Sequence, residues 1–356
     1  MINYHLFCLK SCVKWRFYDI ILLVGIIGGD LMNLDEKVDI KENSIYNLNP
    51  DLLSILLYDN TTKRNIIWAT DMYENRGFGY ETNSQITIDK ITGRLGQVIK
   101  PRIKKSKQEQ DKRIKVKAEV FTPSWICNEQ NNLADSSWFE KMDIFNKSEG
   151  TTWKTNKNKV QFSNNKTWHD YVDSVRLEIS CGEAPYLVSR YDTTTGDIIP
   201  IIDRIGLLDR KLRIVNENTN DKNEWYENVL KAYKSIYGFE WQGDSLLIAR
   251  ENLLYTFMDY YIDRFNEEPN IQQLKEIATI ISWNIFQMDG LKFVIPNSCK
   301  NEIKINYTLF GEEKIENECL GCKKGNIKTH NGIYVKIMNW NTNKQIKFLS
   351  LFNRKK

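Results

Sequence analysis

The 356-residue chain has no apolar run long enough to cross a membrane, so we expect no membrane partner. Residues 20–27 are apolar, but a spanning helix needs about 20 such residues, and Asp19 and Asp30 flank this stretch. The seven cysteines lack the paired spacing of a small disulfide-stabilised protein, which predicts a reducing, cytoplasmic location. Internal repeats and low-complexity tracts are also missing, which excludes repeat architectures.

The composition is that of a globular protein. Hydrophobic residues make up 41% of the chain and the mean hydropathy is −0.50, so a sizeable core can form in one large domain or two. The net charge of +4 is too small to indicate nucleic-acid binding by itself. Nine basic residues are nevertheless concentrated in residues 100–117, beside only Glu109 and Asp111. Such a run is typical of a solvated helix face or linker, and the alternative is a segment that contacts phosphates.

The first 31 residues are interpreted as an extension of the folded protein. Lys10, Lys14 and Arg16 precede the apolar run as in a signal peptide, but no convincing small-residue cleavage site follows it. We therefore expect Met32 to be the functional first residue. A signal peptide or membrane anchor is the alternative.

The remaining chain is divided by its pattern into three regions. Residues 32–117 are predicted to form an N-terminal α+β region that ends in the basic linker, with a helix capped by Asn49 and short strands at 86–88 and 97–99. Residues 118–295 form a second region, in which 128–172 and 196–215 are interpreted as insertions. Residues 296–356 form a cysteine-containing C-terminal lobe.

From Ser174 onward, short apolar runs alternate with helical patterns. The spacing predicts an α/β fold, because strands separated by helices form a parallel sheet with right-handed crossovers. The predicted strands are 175–179, 236–240 and 285–289, and the predicted helices are 184–190, 223–233, 245–265 and 270–281.

Each predicted strand ends in an acidic residue. Glu178 and the Cys181-Gly182-Glu183 turn end the first strand, Glu240 ends the second and Asp289 the third. Ligands of open parallel sheets lie outside the carboxyl ends of the strands, where backbone N–H groups of a glycine turn also point. Glu240 suits the two hydroxyls of a ribose, and Asp289 suits an adenine amino group. The alternative for each acid alone is a cap for the following helix.

Four segments in this order resemble the methyltransferase (M) subunit of bacterial restriction-modification systems, the family that methylates adenine N6 in DNA with S-adenosylmethionine. Residues 118–123 are similar to the segment of that family that ends in Phe-Thr-Pro, and residues 177–187 are similar to its first cofactor loop. Residues 237–253 and 287–290 resemble its second and third strands with their flanking residues. The resemblance covers about residues 115 to 295.

The resemblance implies a Rossmann-like sheet that binds S-adenosylmethionine, preceded by a helical and β-stranded extension. It implies that the Phe-Thr-Pro segment packs over the methionine end of the cofactor. The cofactor-binding residues that it implies, together with the strand-end acids, are Phe121, Thr122, Pro123, Glu178, Cys181, Gly182, Glu183, Glu240 and Asp289.

Two departures from the family pattern bear on activity. Ala184 stands where the family usually has a second glycine. The catalytic Asn-Pro-Pro-Tyr, which binds the target amine and stacks on the flipped base, is missing, and residues 295–298 do not replace it. We therefore expect a component of a DNA methylation system that is catalytically incomplete alone and acts with DNA and a companion subunit. The alternative is a non-enzymatic module that binds nucleic acid or another subunit.

The C-terminal lobe contains a candidate metal site. Cys319 and Cys322 form a Cys-x-x-Cys knuckle, and Cys299 and His330 flank it. A tetrahedral structural zinc site takes four such ligands, two of them from a tight Cys-x-x-Cys turn. Zinc would stabilise a short segment that cannot bury its own core. Unliganded thiols and a redox pair are the alternatives.

Overall fold

The computed structural model describes residues 38–117, 119–163, 165–308 and 311–352. The predicted extension of residues 1–31 lies outside these residues. None of the helices in the described ranges combines the length and hydropathy that a membrane-spanning segment requires.

The described chain forms a mixed α/β structure in which helices predominate. Its helices are α1 (Glu42–Leu48), α2 (Pro50–Leu57), α3 (Ile88–Ile91), α4 (Lys107–Lys117), α5 (Ser124–Phe139), α6 (Trp168–Asp173), α7 (Leu207–Asn218), α8 (Lys222–Lys234), α9 (Gly243–Phe265), α10 (Ile271–Asn284) and α11 (Leu320–Lys324). Its strands are β1 (Tyr58–Asp59), β2 (Arg64–Asn65), β3 (Asn146–Glu149), β4 (Thr152–Thr155), β5 (Arg176–Ile179), β6 (Ile236–Glu240), β7 (Ile285–Gln287), β8 (Glu302–Thr308), β9 (Gly311–Asn317), β10 (Lys336–Asn339) and β11 (Lys344–Lys347).

The central element is a three-stranded parallel sheet in the order β5-β6-β7. Glu178 of β5 lies opposite Gly238 of β6, and Gly238 in turn lies opposite Ile285 of β7. Helices α7 and α8 connect the first two strands, and α9 and α10 connect the second and third. The three predicted parallel strands are therefore confirmed, and the other described sheets are two-stranded antiparallel pairs.

Local signals in the sequence place the helix boundaries. The Asn270 side chain accepts from the Gln273 backbone N–H and the Gln273 side chain accepts from that of Asn270, a reciprocal capping box at the start of α10. Asn49 caps α2, whose first residue is a proline. Helix α9 runs for 23 residues and is buried along most of its length. The predicted helices at 245–265 and 270–281 are confirmed.

Two apolar cores lie on opposite faces of the sheet. The larger core collects residues from Ile40 to Ile285, and α9 contributes its inner face. The smaller core joins Phe239 and Phe286 of the sheet to Val335 and Phe348 of the C-terminal lobe. The lobe is thus packed against one face of the sheet and the helices against the other.

The N-terminal region contacts the end of the sheet without forming a strand beside it. The Gln287 side chain at the end of β7 accepts from the backbone N–H of Ile67 at 2.9 Å and donates to its carbonyl at 2.8 Å. The backbone N–H of Gly243 donates to the carbonyl of Trp68 at 3.0 Å. Residues 66–69 are thereby attached both to β7 and to the start of α9.

Several predicted elements are wrong. Residues 86–88 and 97–99 are not strands, since residue 88 begins α3 and residues 97–99 form no regular element. Residues 184–190 form turns and not a helix, because Gly182 and Ala184 both adopt positive φ. The segments interpreted as insertions contain α5, the β3–β4 hairpin and α7, and they bury apolar side chains in the larger core.

Two buried carboxyl groups lie where the N-terminal region packs against α9. Glu251 of α9 and Glu42 of α1 are each 1% exposed, and each has one oxygen without a hydrogen-bond partner. Desolvation raises the pKa of Glu42 to about 8, and desolvation together with the Glu42 and Asp39 charges raises the pKa of Glu251. Both groups are therefore protonated at low pH, and their ionisation opposes folding.

We expect Glu251→Gln to stabilise the protein at pH 8. A carboxyl group whose pKa is raised on folding contributes stability that is complete below its unfolded pKa of about 4.3 and is lost as the pH rises through the folded pKa. The amide of the variant cannot ionise. The decrease in the free energy of unfolding between pH 5 and pH 8 should therefore be smaller in the variant than in the wild type by about 1 kcal/mol or more. Urea unfolding at both pH values measures it. An unchanged pH dependence would contradict the assignment.

Candidate functional site

The turn after β5 is built from three residues with left-handed backbone. Ser180, Gly182 and Ala184 have φ of 49°, 53° and 65°. The backbone N–H of Cys181 still donates to the Phe239 carbonyl at 2.9 Å, so the turn remains attached to β6. An alanine in this region costs about 1–2 kcal/mol relative to glycine. The loop therefore has a left-handed backbone at three alternate positions, and Ala184 occupies one of them without being glycine.

The buried Glu178 side chain holds this loop by accepting hydrogen bonds from its backbone. Its two carboxylate oxygens accept the backbone N–H groups of Tyr186 at 3.4 Å and Leu187 at 3.2 Å. Burial raises the pKa of Glu178 well above its usual range. Because both oxygens face the protein's own backbone, Glu178 shapes the loop rather than presenting an open acceptor.

Glu240 connects the end of β6 to the same turn. One oxygen accepts the Gly182 N–H at 3.0 Å and the other accepts the Gln242 N–H at 3.1 Å. Burial also raises the pKa of Glu240. The first two strand ends therefore meet at Gly182, on the carboxyl side of the sheet.

The Phe-Thr-Pro segment covers this turn. A Cβ atom on Gly182 would lie 3.8 Å from the Phe121 ring, and the Arg102 guanidinium lies 5.0 Å from the centre of that ring. The Thr122 carbonyl accepts the Thr193 hydroxyl at 3.3 Å, and Pro123 immediately precedes α5. Arg102 and Phe121, which are far from Gly182 in sequence, thus lie close to it in the structure.

Glu183 points away from Gly182 into the protein. Its carboxylate accepts the Arg102 backbone N–H at 2.6 Å and the Tyr191 hydroxyl at 2.8 Å. Cys181 is also buried, and burial raises the pKa of its thiol. Glu183 and Cys181 thus hold the turn through contacts in the protein interior.

A charged cluster that the sequence patterns did not indicate lies beside Glu240. Arg113 forms ion pairs with Asp244 and, at 2.9 Å, with Glu119, and the Lys105 ammonium lies 3.6 Å from Asp244. All four side chains are at most 8% exposed. The basic run was predicted to be solvated or phosphate-bound, but two of its members are buried here.

This cluster contains polar atoms that nothing in the described structure satisfies. The Lys105 ammonium, one oxygen each of Glu119 and Asp244, and the Gln242 carbonyl oxygen are buried without a hydrogen-bond partner. Buried polar groups in folded proteins are nearly always paired. The cluster therefore keeps hydrogen-bonding capacity that its own residues do not use.

Asp289 lies on a separate cleft of about 460 Å³. Its carboxylate accepts the backbone N–H groups of Leu291 and Lys292 at 2.9 and 3.1 Å. Trp241, which directly follows Glu240, also lines this cleft and is 37% exposed. Asp289, which follows β7, and Trp241, which follows β6, thus line the same cleft. Glu178 and Glu240 do not line it.

The four predicted metal ligands are brought together. The ligand atoms of Cys299, Cys319, Cys322 and His330 all lie within 4.8 Å of one another. The three sulfurs lie 3.6, 3.8 and 3.6 Å from His330 Nδ1. A sulfur and a nitrogen bound to one tetrahedral zinc ion would be about 3.6 Å apart. The group can therefore hold a metal ion such as zinc.

Local structure positions these ligands. Cys299 precedes β8, and the β8–β9 hairpin returns the chain to Cys319 at the start of α11. The Asn331 backbone N–H donates to Cys319 Sγ at 3.2 Å. A Cβ atom on Gly321 would lie 2.5 Å from His330 Nδ1, so the Cys-x-x-Cys turn requires glycine to let the imidazole approach.

The two thiols at the ends of this segment differ in acidity. Desolvation raises the pKa of Cys299 to about 12, with its thiol neighbours acting in the same direction. Desolvation also opposes ionisation of Cys319, but the backbone N–H of Asn331 and other donors outweigh it and lower its pKa to about 6. Metal binding requires thiolates, and Cys319 is the cysteine whose surroundings favour one most.

The geometry gathers the predicted residues into two groups. Phe121, Gly182 and Glu240 meet at the β5 turn, and Asp289 lies on the neighbouring cleft together with Cys299, Cys319 and Cys322. No protein-family model, no curated protein and no solved structure matches this chain.

Proposed function

We propose that this protein is the S-adenosylmethionine-binding component of a DNA adenine-N6 methylation or restriction-modification system, and that a companion polypeptide completes its catalytic site. The observation that carries the proposal is the meeting of the Gly182 turn, the Glu240 carboxylate and the Phe121 ring at the carboxyl end of a parallel sheet. Ligand sites of such sheets lie at this position.

The polar groups around the turn match the chemistry of the methyl donor. The donor carries an ammonium and a carboxylate at its methionine end, a ribose diol and an adenine. Glu119 and Asp244 each offer one oxygen without a hydrogen-bond partner for the ammonium, and Lys105, whose ammonium lies 3.6 Å from Asp244, offers N–H groups for the carboxylate. Glu240 would exchange its bond to Gly182 for the ribose hydroxyls. Such charge-assisted hydrogen bonds are about twice as strong as neutral ones.

The neighbouring cleft suits the base of the donor. The partly exposed Trp241 ring offers a stacking surface, and the Asp289 carboxylate is an acceptor for an exocyclic amine. Stacking of a base on an aromatic ring contributes about 1–3 kcal/mol. Both residues follow strand ends of the sheet, adjacent to the Glu240 contact.

The sequence contains no Asn-Pro-Pro-Tyr loop to bind the target amine. The family binds it with an Asn-Pro-Pro-Tyr loop, and residues 295–298 supply neither the proline pair nor the aromatic ring. A companion polypeptide that carries this loop therefore belongs to the proposal. We assign the Cys₃His group a structural zinc ion, since three thiolates and one imidazole are a common ligand set of closed zinc sites.

Calorimetry with S-adenosylmethionine tests the donor site. Glu240→Gln and Asp289→Asn should each weaken binding about tenfold, because each removes a charged acceptor for a ligand hydroxyl or amine. Asp263→Asn, an exposed residue near the end of α9, is the matched control and should leave the affinity unchanged. Equal affinity in all four proteins would show that the donor binds elsewhere.

A second candidate function is cofactor-independent nucleic-acid binding. Lys107, Lys112 and Lys115 of α4 are exposed, so part of the basic run is available to phosphates. Salt-sensitive binding to duplex DNA by a protein with no affinity for the methyl donor would favour this function over the first.

A further inference from the structure

One part of the cleft beside Trp241 is built by the segment that carries the metal ligands. Trp241, Asp289 and Lys292 line the cleft next to the ends of β6 and β7. A further five lining residues belong to the metal-binding segment, residues 299–330, which runs from the first ligand to the last. They are Cys299, Asn301, Glu318, Cys319 and Cys322. The shape of the cleft therefore depends on the position of this segment.

The metal-binding segment is not anchored by apolar packing, since none of its described side chains belongs to either core. Polar contacts attach it to the lobe instead. The Tyr334 hydroxyl donates to the Ile327 carbonyl at 2.8 Å and accepts the His330 N–H at 3.0 Å. An isolated two-stranded hairpin such as β8–β9 is at best marginally stable in water. A metal ion bound to the four ligands would therefore fix the position of the segment.

Lys292 lies between the metal-binding segment and the sheet. Its ammonium is 3.7 Å from the Asp289 carboxylate. The same ammonium interacts with the sulfurs of Cys322 and Cys299. Three thiolates and one neutral imidazole leave a bound Zn²⁺ site with a net negative charge, so the loaded site attracts this ammonium. One side chain thus joins the metal site to the carboxylate at the end of the sheet.

We propose that metal binding at the Cys₃His group controls ligand binding in this cleft. This inference rests on the proposed function and adds a regulator to it. The ligand is an adenine nucleoside, whose base stacks on Trp241 and whose amine donates to Asp289. A metal-loaded protein presents the metal-binding segment in a fixed position beside these two side chains. A metal-free protein must order the segment as the ligand binds, and the entropy of that ordering weakens the binding.

The coupling acts through the position of the segment and not through coordination of the ligand by the metal. A tetrahedral Cys₃His set fills all four coordination positions of zinc, so none is left for a nucleoside. The effect is reciprocal, because a ligand that prefers the metal-loaded protein raises its metal affinity by the same factor. A zinc ion that held the β8–β9 hairpin without shaping the cleft would leave the two affinities independent.

Calorimetry with adenosine and with S-adenosylmethionine tests the coupling. The zinc-loaded chain should bind each ligand at least about tenfold more tightly than the chain treated with a chelator. Saturating S-adenosylmethionine should in turn raise the zinc affinity by the factor that zinc produces in its own binding. Cys322→Ser, which removes one metal ligand, should show the weak affinity with or without added zinc.

Two matched tryptophan substitutions separate the cleft from the metal. Glu318 and Lys323 are both exposed and each is adjacent in sequence to a ligand cysteine, but Glu318 lines the cleft and Lys323 does not. Both Glu318→Trp and Lys323→Trp should retain one zinc ion per chain. Glu318→Trp should weaken adenosine binding at least about tenfold, because its indole would occupy the cleft, whereas Lys323→Trp should leave the affinity unchanged.

The possible results separate this inference from the proposed function. Donor affinity that is equal in the zinc-loaded and the metal-free chain would overturn the inference and leave the proposed function standing. Unchanged adenosine binding in Glu318→Trp would place the base outside the cleft and overturn the inference as well. If the zinc-loaded chain bound neither ligand, the proposed function would fail together with this inference.

Discussion

Removing the metal is expected to unfold residues 299–330 of the C-terminal lobe. The four ligands lie in the segment before β8, at the start of α11 and in the loop before β10, so an ion bound to them would crosslink most of residues 299–330. None of the side chains that the structure describes in this segment belongs to either apolar core. Structural zinc in small domains contributes about 10–16 kcal/mol of apparent binding free energy, far more than the apolar contacts of this segment can replace.

The measurement combines metal content with hydrogen exchange. Purified protein should contain one zinc ion per chain, and a chelator should remove exchange protection from residues 299–335 while that of α9 and α10 persists. Cys322→Ser should lose the metal, and Cys127→Ser, which changes a buried cysteine outside the cluster, should retain it. If the purified protein contained no metal and the segment were still ordered, the cysteines would be unliganded thiols and the zinc assignment would be wrong.

Substituting Asp244 should produce the largest loss of stability outside the metal site. Asp244 is completely buried, accepts the Tyr73 hydroxyl at 2.7 Å, and is the shared anion of Arg113 and Lys105. Asp244→Ala leaves two buried cations without their common partner, and breaking a buried pair in this way costs about 3–5 kcal/mol. Urea unfolding measures the loss.

The control for Asp244 is a surface ion pair. Asp51 contacts Lys275 at 2.6 Å but is 69% exposed, so Asp51→Ala should cost less than about 1 kcal/mol. Desolvation opposes ionisation of Asp244, but Arg113 and Lys105 outweigh it and lower its pKa. Its contribution should therefore be complete above its unfolded pKa of about 3.9 and decline as the pH falls further. A loss similar to that of Asp51→Ala would contradict the ion-pair role.

Elements with strong local signals could be predicted from the sequence. Asn49 and Asn270 are side-chain caps, and the structure begins α2 and α10 next to them. The apolar runs that became β5, β6 and β7 were recognisable because buried parallel strands are short and nearly continuous in hydrophobicity. The Cys-x-x-Cys knuckle is also a local signal. The two distant ligands, Cys299 and His330, could be predicted because a tetrahedral zinc site requires four donors.

Features that depend on distant contacts could not be predicted. The sequence pattern predicts a helix at residues 184–190, whereas the backbone N–H groups of Tyr186 and Leu187 donate to Glu178 and the segment forms turns. Lys105 and Arg113 belong to a run that is hydrophilic by composition, and the partner that they share when buried is Asp244, more than a hundred residues later. Sequence periodicity carries no information about such pairing.

The attachment of residues 66–69 to β7 and α9 has a consequence for how this chain can evolve. Ile66 and Trp68 belong to the same core as the helices of the parallel sheet, and Gln287 binds the backbone between them. The N-terminal portion is consequently not an exchangeable module. Replacing either part alone would expose apolar side chains of the shared core and leave backbone amides near Ile67 without their hydrogen-bond partners. Recombination within this gene should be tolerated on the metal-bearing side of the sheet more readily than at the border near residue 117.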